Sequence, residues 1–350
     1  MFNLSRSRAI DRRQATRTIR FGLCAISLLF VSPTLFRESV RSELIQFQQQ
    51  NGLSLVSVRD NRIYTIEFKN RKLRESAPLP QKGTITSGSF SEDGEKIAAG
   101  LCRDPGLTHL TPNSTDCPEG FVLAIMRSDG TDVHEYADFA NAGMSFCWSH
   151  DSSKLALEVQ DTRNGKHESQ LQILDLATNV TQVIADAPDS FVDPQCWSPD
   201  DKHVVYTSNN TAGHGTSSIY DVGPKRSREF SKGTRPTWSP DGKWIALMDC
   251  PPSLSGCKYY LVEPSGSAKR VLFKSESATA LWWSPDSRFV AYVNGAHFFE
   301  RTPPQQLQKM VRLRVRRLDD DSESSFADFF DGDAMDFQWV KMSQIKFPAR

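Results

Sequence analysis

Short apolar runs alternate with polar turns from about residue 53 to residue 347. The runs are rich in β-branched and aromatic residues, as in Phe121-Val-Leu-Ala-Ile and Phe289-Val-Ala-Tyr, and this composition is typical of strands. Clusters of Gly, Pro, Asp, Asn and Ser separate the runs and mark turns. The pattern predicts an all-β fold built from many short strands.

One pattern recurs through this region: an aromatic residue, then Ser-x-Asp, then a small or polar residue and a further apolar run. The copies are Phe90-Ser-Glu-Asp-Gly94, Trp148-Ser-His-Asp-Ser152, Trp197-Ser-Pro-Asp-Asp201, Trp238-Ser-Pro-Asp-Gly242 and Trp283-Ser-Pro-Asp-Ser287, with a degenerate sixth at Phe337-Gln-Trp339. Their separation, roughly 40 to 60 residues, is that of a four-stranded propeller blade with variable loops.

The chemistry of the pattern predicts a structural role. The aromatic side chain fills the space between adjacent blades. Ser-Pro ends the inner strand because proline cannot continue the hydrogen-bond ladder, and Asp-Gly makes the tight turn that follows. Six copies therefore predict a six-bladed β-propeller of four-stranded antiparallel blades over residues 53–347. Residues 53–76 are expected to complete the last blade, so that the two chain ends meet in one composite, closing blade.

The W-S-P-D-G copies resemble the WD40-like repeats of the TolB-like β-propeller family, over about residues 53–347. The resemblance implies the fold but not one function, because such blades are found in envelope scaffolds, peptidase propellers and some sugar-active enzymes. The separate N-terminal domain of TolB itself has no counterpart here, so a role in the Tol system is not expected. No G-x-S-x-G elbow is present, so peptidase activity is not expected either.

The N-terminus predicts export. Residues 1–20 form a basic segment with six arginines and one acid, and residues 21–36 form an apolar segment. A basic flank predicts a cytoplasmic N-terminus, and the apolar segment is predicted to be either a retained signal anchor or a cleaved signal peptide. The arginine-rich start also suits a mitochondrial transit peptide. Residues 37–52 are expected to form a polar, helical stalk, with the propeller on the periplasmic or extracellular side of a membrane.

The cysteines agree with an oxidising compartment. Cys102 and Cys117 bracket one polar loop, and Cys250 and Cys257 bracket another, so each pair is a disulfide candidate. No Cys-x-x-Cys is present, which argues against a zinc site. Cys147 and Cys196 occupy equivalent inner-strand positions, and we expect them to be buried free thiols because such positions are usually too far apart to bridge.

Composition and motifs exclude several classes of function. Lys and Arg together number 42, equal to Asp and Glu, so no net field favours nucleic acid as a partner. No P-loop, G-x-G-x-x-G or H-E-x-x-H motif is present. We therefore assign no catalytic residue, no metal ligand and no cofactor.

The longest loops, at 101–119, 160–169, 209–217, 249–258 and 294–309, all connect second to third strands and are predicted to lie on one rim. Elaborated loops on a rigid scaffold are where binding usually resides. The candidate contact residues on this rim are Arg103, His109, His167, His214, His297, Phe298, Phe299 and Arg301.

Two functions follow from this rim. The first is a non-catalytic scaffold that binds a protein or an envelope polymer, since exposed Phe with His and Arg suits an interaction patch. The second is a propeller enzyme, a metal-dependent lyase or hydrolase acting on a saccharide-type polymer, in which the loop histidines converge on a metal. Some oligogalacturonate lyases are similar in using histidines on a propeller, but the histidines here match no motif of theirs.

Overall fold

The computed structural model describes residues 33–103, 117, 121–136, 142–161, 168–186, 196–211, 214–251, 256–275, 280–300, 307–330 and 337–348. The basic segment 1–20 and most of the apolar segment 21–36 lie outside these residues. Among the residues described, no helix has the length and apolar character needed to span a membrane.

The described chain forms one helix, followed by strands only. The elements are α1 (Pro33–Asn51), β1 (Leu53–Arg59), β2 (Arg62–Glu67), β3 (Lys72–Glu75), β4 (Thr84–Phe90), β5 (Lys96–Cys102), β6 (Phe121–Arg127), β7 (His134–Tyr136), β8 (Ala142–Trp148), β9 (Lys154–Asp161), β10 (Glu168–Asp175), β11 (Val180–Asp186), β12 (His203–Thr211), β13 (His214–Asp221), β14 (Arg226–Lys232), β15 (Thr234–Trp238), β16 (Ile245–Asp249), β17 (Cys257–Val262), β18 (Lys269–Ser275), β19 (Leu281–Trp283), β20 (Phe289–Glu300), β21 (Leu307–Arg317), β22 (Glu323–Phe330) and β23 (Gln338–Lys341).

The strands form antiparallel meanders. Strands β4–β7 (sheet 1), β8–β11 (sheet 2), β15–β18 (sheet 4) and β19–β22 (sheet 5) each follow chain order. Sheet 3 contains β12–β14, and an isolated bridge from Trp197 to Val204 stands where its innermost strand would be. Each sheet is thus a local unit of consecutive strands, which agrees with the repeat.

The two ends of the chain share one sheet. Strand β23 pairs antiparallel with β1, with Leu55 opposite Trp339, and β1 continues to β2 and β3. We call this group, β23-β1-β2-β3, the closing sheet. Val58 of β1 lies opposite Gly88 of β4, and the Gln338 side chain of β23 exchanges hydrogen bonds with the Phe90 backbone, so this sheet adjoins sheet 1. The paired strands β1 and β23 of this sheet therefore come from positions nearly 300 residues apart in the sequence.

The hydrophobic core lies between the sheets. The repeat aromatics Phe90, Trp148, Trp197, Trp238, Trp283 and Trp339 are all buried. Around Trp197, for example, the cluster joins Ala156 of sheet 2, Val204 of sheet 3 and Ile245 of sheet 4. The predicted structural role of these aromatic residues is therefore confirmed.

Helix α1 covers most of the segment expected to form a stalk, and it packs against the strands. Val40 and Leu44 are fully buried in a cluster with Leu55 of the closing sheet and Phe326 of sheet 5. The Glu43 carboxylate accepts hydrogen bonds from Arg288 (2.7 Å) and from Arg317. The segment is polar on average, but its few apolar side chains fall at helical spacing and form a stripe that a composition-based reading overlooks.

Disulfide bonding is confirmed in general. Cys102 is joined to Cys117, and Cys250 to Cys257. The expectation of free thiols at Cys147 and Cys196 is wrong, because these residues form a third disulfide with Cα atoms 6.0 Å apart. Both lie on the innermost part of adjacent sheets, where neighbouring sheets approach most closely, so equivalent positions come within bridging distance.

Candidate functional site

The two ends of the sheets differ in how their strands are connected. At one end lie the connections between second and third strands, where the five long loops were predicted. The structure continues several of them as paired strands: β12 and β13 pair out to Thr211 and His214, and β20 and β21 out to Glu300 and Leu307. The disulfides Cys102–Cys117 and Cys250–Cys257 lie at the same end. We call this end the hairpin rim.

Only some of the predicted contact residues are among those that the structure describes, and these lie on the hairpin rim. The Arg103 guanidinium donates a hydrogen bond to Glu135 (3.0 Å), so it is tied to the outer strand β7. His214 begins β13, and His297, Phe298 and Phe299 lie along β20. His109, His167 and Arg301 lie outside the described residues. Convergence of the histidines therefore stays a prediction, and the described residues contain no group of three His, Cys, Asp or Glu able to hold a metal.

At the opposite end, which we call the turn face, the five Ser-x-Asp turns share one hydrogen-bond arrangement. The serine hydroxyl donates to the aspartate two residues on, as Ser149 does to Asp151 (2.6 Å). The same hydroxyl accepts the backbone N–H five residues on, here from Lys154 (2.9 Å). The five serines are Ser91, Ser149, Ser198, Ser239 and Ser284, and all are buried. From the sequence, Ser-Pro was expected to end the strand and Asp-Gly to make the turn, and the serine hydroxyl was given no role, although Ser is present in all five of these copies.

Three of these turns stabilise their carboxylates in the charged form. Desolvation by partial burial opposes ionisation of Asp151, but hydrogen bonds from Ser149 and Ser153 outweigh it and lower the pKa to about 2. The pKa values of Asp200 and Asp241 are lowered in the same way, against desolvation, by Ser198 and Ser239 and by backbone N–H groups. The aspartates therefore act as constant anionic acceptors within the turns.

Neighbouring turns are joined through the last position of the repeat. The Ser152 hydroxyl accepts the N–H of Asp93 in the preceding sheet, and the Ser287 hydroxyl accepts that of Asp241 (2.9 Å). The Asp201 carboxylate accepts the N–H groups of His150 and Asp151. The three accepting residues have positive φ, near 55–58°, which costs energy for residues other than Gly. The inter-sheet hydrogen bonds offset that cost.

A central cavity of about 120 Å³ opens within this ring of turns. Its lining includes residues from the closing sheet and from sheets 1 to 5, among them Ser89, Trp148, Trp197, Trp238, Pro285 and Trp339. Two indole N–H groups connect neighbouring sheets beside this cavity. Trp148 donates a hydrogen bond to the Ser89 carbonyl and Trp197 to the Cys147 carbonyl, both at 3.0 Å. The inner strands of successive sheets thus share one axial space.

Two side chains that line this cavity, those of Glu92 and His150, are titratable. Glu92 and His150 occupy the repeat position that is Pro199, Pro240 and Pro285 in the other copies. His150 Nδ1 lies 3.1 Å from the Asp201 carboxylate. Glu92 keeps contact with solvent, yet the surrounding protein raises its pKa through desolvation, against a lowering effect of His150. Glu92 and His150 are not among the residues predicted from the sequence, although their departure from Pro is visible there.

Antiparallel meanders packed around a central cavity define a β-propeller. The family model described as TolB beta propeller domain matches residues 109–322. The chain belongs to this family, and the resemblance found in the repeats is confirmed. No curated protein matches the chain.

Solved structures share the fold. TolB from Acinetobacter baumannii is similar with a TM-score of 0.56 and 15% identity, over 84% of this chain and 70% of that one. A chain of a nidogen/laminin complex is similar with a TM-score of 0.55 and 8% identity, over 83% of this chain and 98% of that one. At such low identities the likeness shows the fold alone.

Proposed function

We propose that this chain is an exported, six-bladed propeller that binds a protein or an envelope polymer through its hairpin rim. The observation that carries the proposal is the asymmetry of the two faces. On the hairpin rim, paired strands extend the second-to-third-strand connections, and disulfides close two others. On the turn face, short turns bond to one another instead. Projecting, stapled elements on a rigid scaffold favour recognition of a partner.

The count of six blades is part of this proposal. It is supported by six copies of the repeat and by the cavity lining, to which the closing sheet and sheets 1 to 5 contribute. The pairing of β1 with β23 supports closure of the ring by the chain ends. We take the propeller to span residues 53–347.

Export is supported by the disulfides. Three of them within one domain are typical of an oxidising compartment, such as the periplasm or the extracellular space. Attachment to a membrane through residues 21–36 stays a prediction, because residues 1–32 lie outside the described chain.

Site-specific photo-cross-linking in the native host tests the binding face. A photoreactive amino acid is placed at Lys309 or Thr216 on the hairpin rim, and at Lys202 or Lys243 on the turn face as matched controls. We expect discrete cross-linked products from the rim positions and none from the turn face. A variant with 299–308 replaced by Asn-Gly, a short hairpin turn, keeps Lys309 opposite Phe298 and should lose the products formed from Lys309. Equal products from both faces, or products unchanged by this shortening, would overturn the proposal.

A further inference from the structure

The outer strands of sheets 3 and 4 are basic. Strands β14 and β18 each contain three lysine or arginine residues, and the only acid in either strand is Glu229. The outer strands of sheets 2 and 5, β11 and β22, contain acidic residues and neither lysine nor arginine. Lysine on an edge strand commonly prevents edge-to-edge association. That role does not account for the difference, since β11 and β22 are also the last strands of their sheets.

The register of sheet 4 places several of these cations on its face toward sheet 3. Tyr260 of β17 packs against the hydrophobic cluster that sheets 2, 3 and 4 share, and its partner on β18 is Val271. Lys258 lies two residues before Tyr260, on the same face, and is paired with Lys274. The Lys269 ammonium lies 3.9 Å from the centroid of the Tyr260 ring. The three lysines and Val271 therefore share the face toward sheet 3.

Sheet 3 contributes the opposite side of this surface. The Arg228 guanidinium of β14 donates a hydrogen bond to the Pro264 carbonyl (3.0 Å), in the turn before β18. Phe230 of β14 packs against the same hydrophobic cluster as Tyr260. Val271 is nevertheless 57% exposed, so sheet 3 does not cover the outer part of this face. We call the surface between the two sheets the basic surface, defined by Arg228, Lys258, Lys269, Val271 and Lys274.

The positive charge of the basic surface is not compensated within the described chain. Its four cations are exposed, and none forms an ion pair with a carboxylate among the residues that the structure describes. Lys258 and Lys274 lie directly opposite each other in antiparallel strands, an arrangement that is destabilising for like charges. Lys258 lies on β17, which has a neighbour on each side, so protection of an edge does not explain it. A ligand with several negative charges would remove this repulsion.

We propose that the basic surface binds an extended acidic segment of a partner protein, with carboxylates at the lysines and an aliphatic side chain against Val271. From Lys269 to Lys274 the strand extends about 17 Å, the length of about six residues of extended peptide. The exposed valine among the cations favours a peptide over a nucleic acid, whose outer surface presents phosphates and sugars. Its place at the junction of two sheets favours a narrow chain over a flat bilayer. The surface lies on the outer flank of sheets 3 and 4, and its role goes beyond the binding proposed for the hairpin rim.

Fluorescence anisotropy with a short acidic peptide tests this site. The probe is the rhodamine-labelled peptide Glu-Glu-Glu-Leu-Glu-Glu, and its counterpart has Gln at every Glu position. Each is titrated with the full chain at pH 7 in about 50 mM NaCl, where screening is modest. We expect the acidic peptide to bind with a Kd at or below about 100 µM and the Gln peptide to show no saturation. Raising NaCl to about 0.5 M should weaken the acidic peptide at least about tenfold.

Variants separate binding from folding. Lys274→Glu removes one cation and places a carboxylate opposite Lys258, so binding should weaken at least about tenfold while the melting temperature stays at or above that of the parent. Lys82→Glu is the matched control, because Lys82 is exposed and precedes β4 of sheet 1, and it should bind the peptide as the parent does. Val271→Ser should weaken the peptide about threefold but leave a peptide with Ser in place of Leu unaffected.

Three results would overturn the proposal. Equal affinity of the parent and Lys274→Glu, or an equal loss in Lys82→Glu, would mean that the peptide does not bind at this surface. The third is tighter binding, lost in Lys274→Glu, of a DNA single strand of six nucleotides or of vesicles of phosphatidylcholine with phosphatidylglycerol, because the occupant would then not be a protein segment. None of these results affects the cross-linking expected from Lys309 on sheet 5, so failure of one proposal can be told from failure of the other.

Discussion

At the scale of single residues, the differences between repeat copies are informative. Where the fifth position is Gly, as at Gly94 and Gly242, the turn has its least costly left-handed residue. Where it is Ser or Asp, the side chain accepts a hydrogen bond from the preceding turn, as at Ser152 and Asp201. No role was predicted from the sequence for these differences. The structure gives the departures a role in joining the sheets.

Acid should weaken the fold through the turn aspartates. The pKa of Asp151 is lowered to about 2, so its contribution to stability is present above about pH 4 and is lost as the pH falls toward 2. The carboxylate is largely exposed, and after allowance for screening this contribution is on the order of 1 kcal/mol. Asp151→Asn should therefore lose less unfolding free energy between pH 4.5 and 2.5, taken as rough limits, than the parent in urea melts.

The control for this prediction is Asp132→Asn. Asp132 is exposed and pairs with Arg127 at 3.4 Å, outside the Ser-x-Asp turns. The Asp132→Asn variant should lose as much unfolding free energy between these pH values as the parent does. If Asp151→Asn also matched the parent, the turn hydrogen bonds would not be the source of the acid sensitivity.

At the scale of elements, helix α1 shows how far composition can mislead. Its residues are mostly polar, but Val40, Leu44 and Phe47 fall on one face, and the Phe47 ring meets that of Trp339 at 6.0 Å between centroids. Most of the stability of such a helix comes from packing of its apolar stripe and little from propensity. A stripe of so few apolar residues can be recognised only when the surface that the helix covers is known.

Leu44→Ala tests whether α1 is part of the fold. Leu44 is fully buried, so its truncation should lower the unfolding free energy by about 2–5 kcal/mol in a denaturant melt. Gln49→Ala on the exposed side of the same helix should change it by less than about 0.5 kcal/mol. Equal small effects would mean that the helix does not pack on the sheets as described.

At the scale of the whole molecule, the two chain ends meet in one sheet. The repeat predicted that the N-terminal strands complete the last blade, and β23 does pair with β1. The outer parts of the β12–β13 and β20–β21 hairpins, within 209–217 and 294–309, were expected to be loops, whereas their inner parts were expected to be strands. Their pairing instead follows from registers that continue outward from the buried parts of the sheets.

An engineered cross-link tests the register between β1 and β23. Leu53 lies directly opposite Lys341, so Leu53→Cys with Lys341→Cys should oxidise to a disulfide and raise the melting temperature. Leu53→Cys with Gln344→Cys, three residues further along, is the control and should cross-link poorly. Non-reducing peptide mapping detects the bond. Efficient cross-linking of the control pair, or of neither pair, would contradict the register.

The all-β fold, the propeller family and the buried role of the repeat aromatics could all be predicted from the amino-acid sequence. Those properties are local and recur in every copy, so periodicity and turn chemistry are sufficient to predict them. Three further features could not be predicted: the disulfide between Cys147 and Cys196, the packing of α1, and the meeting of Glu92, Trp238 and Trp339 around one cavity. These depend on distances between residues far apart in the chain, which are set by how the sheets pack together and which no local pattern encodes.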